Sequence, residues 1–233
     1  MNIKLSDRLL AILRFVPNNS IVADVGTDHG HIPMYLIENN ISKGVIASDI
    51  SQGSLDKTID YIKELDLSDR IIPRLGDGLE IIKPFEVDTV IIAGMGGLLI
   101  RDILSKDIQL TSSITNFILQ PMVASKELRE YLYNNNFKLV DEDLVLEDSK
   151  YYEIIYAKIG KDVVEKEIYY DIGKKLVEKK HPLLKDFIEY KINKQSSILE
   201  ELKGIDSQKG KIRLEEIEEL MSQYKEVLKA IEG

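Results

Sequence analysis

Short apolar runs, rich in Val and Ile, recur along the first 160 residues: SIVADVG (20–26), GVIASDI (44–50), RIIPRLG (70–76), VDTVIIAG (87–94) and NFILQP (116–121). Nearly all are bounded by Gly, Pro or Asp, and the gaps between most pairs are long enough for a crossover helix. This pattern predicts a parallel sheet covered by helices on both faces. Beyond a helical stretch, SKELREYLYNNN, come FKLVDEDLVLED (137–148) and KYYEIIYAKIG (150–160), with only Ser149 between them. A connection that short cannot cross a sheet, so the two runs are expected as an antiparallel hairpin at one edge.

From residue 161 the spacing changes. Ile168, Ile172 and Leu176, then Ile188 and Ile192, recur at helical intervals, with Lys and Glu between them. GIDSQKG (204–210) reads as a turn, and Ile212, Leu214, Ile217, Leu220, Tyr224 and Leu228 form the stripe of a further helix. The expectation is a catalytic α/β domain over residues 1–160 and a helical, coiled-coil-like hairpin over 161–233. Five parallel strands with a terminal hairpin resemble the class I, Rossmann-like methyltransferase fold, and a fold by itself does not assign a function.

Composition narrows the chemistry. The 233 residues, 44% hydrophobic, suffice for one sizeable core and a smaller appendage. No apolar run nears the roughly 18 residues of a membrane span, and the N-terminus lacks a signal-peptide cleavage pattern, so a cytoplasmic protein is expected. A monomer is the default. The absence of cysteine excludes thiolate metal sites, disulfides and a cysteine nucleophile. The net charge of −9 is uneven: residues 1–160 carry 16 basic and 24 acidic side chains, residues 161–233 carry 15 and 16. The acidity belongs to the first part.

DVGTDHGHIPM (24–34) raises two readings. His29 and His31, near Asp24 and Asp28, suggest a metal, but the only other histidine is His181 and no H-x-x-x-H pair exists. Read as a ligand loop, Gly26 lets the chain turn and a ligand approach the backbone, and Pro33 suits the first turn of the following helix. No metal is expected. Asp49 ends the second run, 23 residues after Gly26, where an acidic side chain can bond ribose hydroxyls. Gly76, Asp77 and Gly78 follow the third run, and Asp77 could accept a bond from an adenine amino group. On its own GDG is usually a turn. The phosphate-cradling G-x-G-x-x-G of dehydrogenases is absent, and Asp24 and Asp28 would repel a pyrophosphate. S-adenosylmethionine, with an amine and a sulfonium and no phosphate, suits such loops better.

IIAGMGG (91–97) closes the fourth run with little side-chain bulk, so it could sit beside a flat acceptor and expose backbone carbonyls near a transferred methyl. Gln120, in LQPM, falls at the same edge, either against the substrate or satisfying a buried backbone group. LSDRLLAI (5–12), DVGTDHGHIP, SDIS, GDGLEII, IIAGMGG, LQP and YYEIIYA (151–157), taken in order, resemble the bacterial tRNA (adenine-N1)-methyltransferases that modify adenosine 22 in the D-loop, the TrmK type. The resemblance implies a class I fold, S-adenosylmethionine as donor and tRNA as acceptor. Carried onto the matching positions, it implies cofactor contacts at Arg8, Asp24, Gly26, Thr27, Asp28, His29, Asp49 and Ile50. Gly76, Asp77, Gly78, Ala93, Gly94, Met95 and Gly96 complete the set. Asp28, Gly94 and Met95 are the catalytic candidates, and His31 stands where the family motif has an aromatic.

Adenine N1 is a neutral nucleophile, so methylation needs positioning rather than a strong base. A carboxylate near the exocyclic amine, for which Asp28 is the candidate, would stabilise the developing cation. A helix N-cap is the alternative role for Asp28. His31, Met95 and Tyr151 or Tyr152 could receive the unstacked base, with His31 and Gln120 at the substrate. Lys174, Lys175, Lys179, Lys180, Lys185, Lys191 and Lys194 face only three acidic residues between 174 and 194, which reads as a basic stripe on the first tail helix for tRNA phosphates. A methyltransferase of a small molecule or protein, and a non-catalytic scaffold, are the competing readings.

Overall fold

The five apolar runs form parallel strands, largely buried on both faces except at residues 71–75 on the sheet edge, where Ile72 and Leu75 are about half exposed. They are β1 (Ser20–Val25), β2 (Ser42–Asp49), β3 (Ile71–Leu75), β4 (Thr89–Met95) and β5 (Asn116–Pro121). The computed structural model describes residues 5–202 and 207–232, and the chain divides into two units, Met1–Val163 and Val164–Gly233. In the first unit seven strands lie in the order β3-β2-β1-β4-β5-β7-β6, where β6 (Phe137–Glu147) and β7 (Lys150–Ile159) form the hairpin. β7 runs antiparallel to both β5 and β6. Asp148 and Ser149 both adopt positive φ, 49° and 62°, the two-residue turn geometry that matches strand twist.

Alternate residues of each strand face opposite layers. On one side Val22, Val45 and Ile91 pack with α1 (Asp7–Leu13) and α2 (His31–Glu38), beside α3 (Gln52–Glu64). On the other, Ala23, Ile46 and Ile92 pack with α4 (Gly97–Lys106), α5 (Ile108–Ser112) and α6 (Ser125–Asn134). Burying a Leu or Ile side chain of these layers contributes about 1.5–3 kcal/mol. The hairpin is held from beneath by Arg129 of α6, fully buried, which bonds Glu142 of β6 at 2.6 Å and Glu153 of β7 at 2.7 Å. That network fixes where the hairpin's far end meets α1.

The second unit departs from the expected hairpin. Residues 161–202 hold α7 (Ile168–Ile172), α8 (Lys174–Glu178) and α9 (Leu184–Leu202) instead of one helix. Gly173, at φ 82°, breaks the first pair. Pro182 prevents α8 from running into α9. α10 (Gln208–Glu232) packs against α9 and α7 and starts inside the expected turn, of which residues 204–206 lie outside the described residues. Asp171 of α7 ties the helices together, accepting from Lys191 of α9 at 3.1 Å and from the Tyr224 hydroxyl of α10.

Candidate active site

In a parallel sheet the loops after each strand gather along one edge, so the motifs after β1, β2, β3, β4 and β5 converge there. Gly26 turns the chain at φ 77°, and a Cβ at that position would collide with Cε of Met95. The backbone N–H groups of Gly26 and Thr27 both bond the carbonyl of Ser48, at 2.9 and 2.7 Å, which ties this loop to β2. α2 begins at His31 with Gly30, left-handed, as its cap and with no side-chain capping bond. Asp28 is therefore not the N-cap. Its side chain is 89% exposed, 3.4 Å from Nε2 of His29, and the rings of His29 and His31 lie 5.8 Å apart.

Two cavities open along this edge. The first, about 370 Å³, is bordered by Gly26, Asp49 and Ile50, by Gly76, Asp77 and Gly78, and by Ala93, Gly94 and Met95. Leu99 and Ile103 of α4 complete an apolar wall. Asp49 is oriented by the N–H of Ser51, 2.7 Å from Oδ1. Asp77 accepts from Nζ of Lys106 at 3.1 Å, and the same ammonium lies 2.7 Å from Glu80. Carboxylates and apolar groups line this cavity and no Lys or Arg does. Such a donor set fits an adenosyl group and its hydroxyls and opposes a pyrophosphate.

The second cavity, about 310 Å³, is bordered by Arg8, Leu9, Asp24, Asp28, His31, Ile32 and Met122, and again by Gly26, Ala93 and Gly94. Those last three form the junction between the cavities. Asp24 is 3% exposed. Burial pushes its pKa from 3.8 up to about 7, the Thr27 hydroxyl opposes the rise, and the nearby Asp28 charge adds to it. Arg8 donates from its backbone N–H to Glu147 at 3.0 Å and stacks its guanidinium over Tyr152, 5.4 Å from the ring centroid. That bond holds the Glu147 carboxyl below the usual carboxylate range.

Several expectations change here. Arg8 and Asp24 border the second cavity and not the first; Thr27, His29, Gly96 and Gln120 border neither. Gln120 is fully buried and its amide is occupied by protein groups, so it does not face a substrate. The Met95 carbonyl is not exposed either: it accepts the N–H of Met122 at 2.8 Å, while Gly97 donates to Val123 at 2.8 Å. The basic stripe is divided between α8, α9 and the turn that joins them, and is largely neutralised. Lys174 pairs with Glu165 and Glu178, Lys175 with Glu178, Lys185 with Glu232 and Lys191 with Asp171. Lys179, Lys180 and Lys194 are exposed. Leu9, Ile32, Leu99 and Ile103 escaped sequence reasoning because apolar helix residues carry no mark of a cavity. Met122, in LQPM, was within reach of it. Among the described residues no group of three or more His, Asp or Glu could hold a metal ion, and no helix is long and apolar enough to cross a membrane.

The chain is similar to known methyltransferases in sequence and in fold. A methyltransferase domain model matches residues 5–155. The tRNA (adenine(22)-N(1))-methyltransferase of Bacillus subtilis is 32% identical over 97% of this chain and 98% of its own. M. capricolum TrmK, solved with S-adenosyl-homocysteine, superposes with a TM-score of 0.85 at 30% identity, covering 97% of this chain and 99% of that one. A putative tRNA (m1A22) methyltransferase of Streptococcus pneumoniae, in complex with S-adenosyl-L-methionine, gives a TM-score of 0.87 at 27% identity, covering 97% and 100%. By fold, by the order of its loops and by these likenesses over nearly its whole length, the chain belongs to the tRNA (adenine(22)-N(1))-methyltransferase family.

Proposed function

We propose that this protein transfers a methyl group from S-adenosylmethionine to N1 of adenosine 22 in the D-loop of tRNA. The observation that carries the reading is the pair of cavities meeting at Gly26, Ala93 and Gly94. Two of these three residues are glycines, so little side-chain bulk stands between a donor in one cavity and an acceptor in the other. The relatives of known complex, which hold S-adenosylmethionine or its product, support the choice of donor.

In the first cavity Asp49 would hold the ribose hydroxyls and Asp77 the adenine amine, with Ile50, Leu99 and Ile103 against the ring. The bound cofactor supplies a methyl group activated by a sulfonium. The second cavity would receive the target adenine, drawn from its stack and flanked by His31 and Met122. N1 is already nucleophilic, so these residues work by placing it in line. Positive charge builds on the acceptor ring as the bond forms, and two carboxylates can stabilise it, the buried Asp24 and, at the solvent-facing mouth of the cavity, the exposed Asp28. Arg8 fixes the opposite wall. In the helical unit, the exposed Lys180 and Lys194 are the groups we assign to tRNA phosphates, in place of a continuous stripe. A tRNA enzyme of this kind acts in the cytoplasm, and we take it to act as a monomer.

Incubation with labelled S-adenosylmethionine and bulk tRNA, followed by digestion to nucleosides, tests the assignment. Labelled 1-methyladenosine is the expected product. No labelled nucleoside, or label in another base, would reject it.

A further inference from the structure

The buried amide of Gln120 reaches neither cavity, yet it joins two groups that border them. Its Oε1 accepts from Nη1 of Arg8 at 2.8 Å and from the backbone N–H of Gly94 at 3.1 Å. Its Nε2 donates to the Pro121 carbonyl at 3.0 Å and lies 3.6 Å from Sδ of Met122. Two donors meet one end of the amide and a carbonyl meets the other, so the group has a single satisfied orientation. A residue that merely satisfied the interior would need one backbone partner. Gln120 instead bonds across 112 residues of sequence to a charged side chain of the second cavity.

Both partners are poised to need this restraint. Arg8 is held at its backbone by Glu147 and at its face by Tyr152, and among the described residues the bond to Gln120 is the one that fixes the direction of its Nη1. Gly94 sits at φ 77°, within a register shift of β4 against β5, and a Cβ there would meet nothing within 4 Å. Gly94 has no partner of its own in the β4–β5 ladder, and the Gln120 side chain accepts its N–H instead. We infer that Gln120 is a positioning residue for methyl transfer, its one carbonyl oxygen setting both the Arg8 guanidinium and the Gly94 peptide at the junction of the two cavities. The inference rests on the reading that the second cavity receives the acceptor base.

The test compares wild type, Gln120→Leu, Gln120→Glu, Arg8→Ala and the Arg8→Ala/Gln120→Leu double variant. Each is measured for kcat and KM with tRNA, for S-adenosylmethionine affinity by calorimetry and for thermal melting. Gln120→Leu removes both bonds and is expected to lower kcat about 10- to 100-fold, as small misplacements do, while KM for tRNA and cofactor affinity stay within about 3-fold. Gln120→Glu keeps the accepting oxygen and is expected to restore kcat to within about 10-fold of wild type. Arg8→Ala should reproduce the loss, and the double variant should lose less than the product of the single losses, because the two act as one unit. A folded Gln120→Leu with wild-type kcat would overturn the inference, as would a Glu variant no better than Leu, or multiplicative losses. If Gln120→Leu does not fold, the same decision falls to the others: Glu active with Arg8→Ala impaired supports it, and the reverse overturns it. A wild-type protein that forms no 1-methyladenosine removes the functional reading, and this inference with it.

Discussion

Replacing Asp24 by Asn should make the protein more stable and a worse enzyme. The carboxyl is buried at the end of β1, and its pKa rises from 3.8 to about 7, chiefly by desolvation. A shift of about 3 units corresponds to about 4 kcal/mol at ~1.36 kcal/mol per unit. Because the folded pKa lies above the unfolded one, the native state binds the extra proton between these values. Stability from this group is full below about pH 4, declines as pH rises towards 7 and is flat beyond. Asparagine has nearly the same shape and no charge to desolvate, so the variant escapes that decline. Relative to wild type, Asp24→Asn should gain about 2 kcal/mol at pH 5.5 and about 4 kcal/mol at pH 8.5. At about 2–4 °C per kcal/mol for a chain of this size, the second figure is on the order of 10 °C in Tm. A cationic cofactor favours the ionised carboxylate, so binding to the wild type should strengthen as pH rises to about 7 and release a proton below it. The assay is thermal melting of both proteins at the two pH values, with calorimetric titration of S-adenosylmethionine in buffers of different ionisation enthalpy. A variant no more stable than wild type at pH 8.5, or equally stabilised at both pH values, would refute the reasoning.

Asp28→Ala should retain cofactor affinity and lose turnover, measured as kcat against the calorimetric Kd; full turnover would remove the charge-stabilising role. Gly97→Ala puts a Cβ into the backbone of Ala124, where α4 packs on the loop after β5. It should destabilise by about 1–3 kcal/mol, as other overpacking substitutions do, read as a lower denaturation midpoint; an unchanged midpoint would show that the loop yields freely. Charge reversal of Lys180 and Lys194 together should weaken tRNA binding and flatten its dependence on salt, with a slope smaller by about one for each phosphate no longer neutralised. Reversal of Lys174, already paired with Glu165, should change that slope little.

The sheet was legible because strands buried on both faces must be continuous apolar runs, and because Ser149 left no room for a crossover. The residues of the first cavity were legible for a related reason: Gly26, Asp49 and Asp77 stand at or just beyond the ends of successive parallel strands, so order along the chain became order along one edge. What the sequence concealed lies in contacts between distant positions. Helical spacing announces Glu178 as a partner of Lys174, but not the nearer Glu165, which lies nine residues back and ahead of α7. Gln120 reads as one polar residue at a strand end, and nothing local shows that its oxygen meets Arg8 of α1. Pro182, between α8 and α9, is a local signal of a helix break, which the apolar spacing of Ile168, Ile172, Leu176, Ile188 and Ile192 does not show.

The acceptor assigned to this enzyme is one nucleotide, adenosine 22, methylated at N1. This assignment is tested most directly with an unmodified tRNA transcript and its counterpart carrying guanosine at position 22, each incubated with the enzyme and S-adenosylmethionine. The site is then mapped by reverse-transcription arrest and mass spectrometry of the fragments. The expected result is stoichiometric 1-methyladenosine at position 22 of the first transcript and none in the second. Methylation at another position, or equal methylation of both transcripts, would contradict the account.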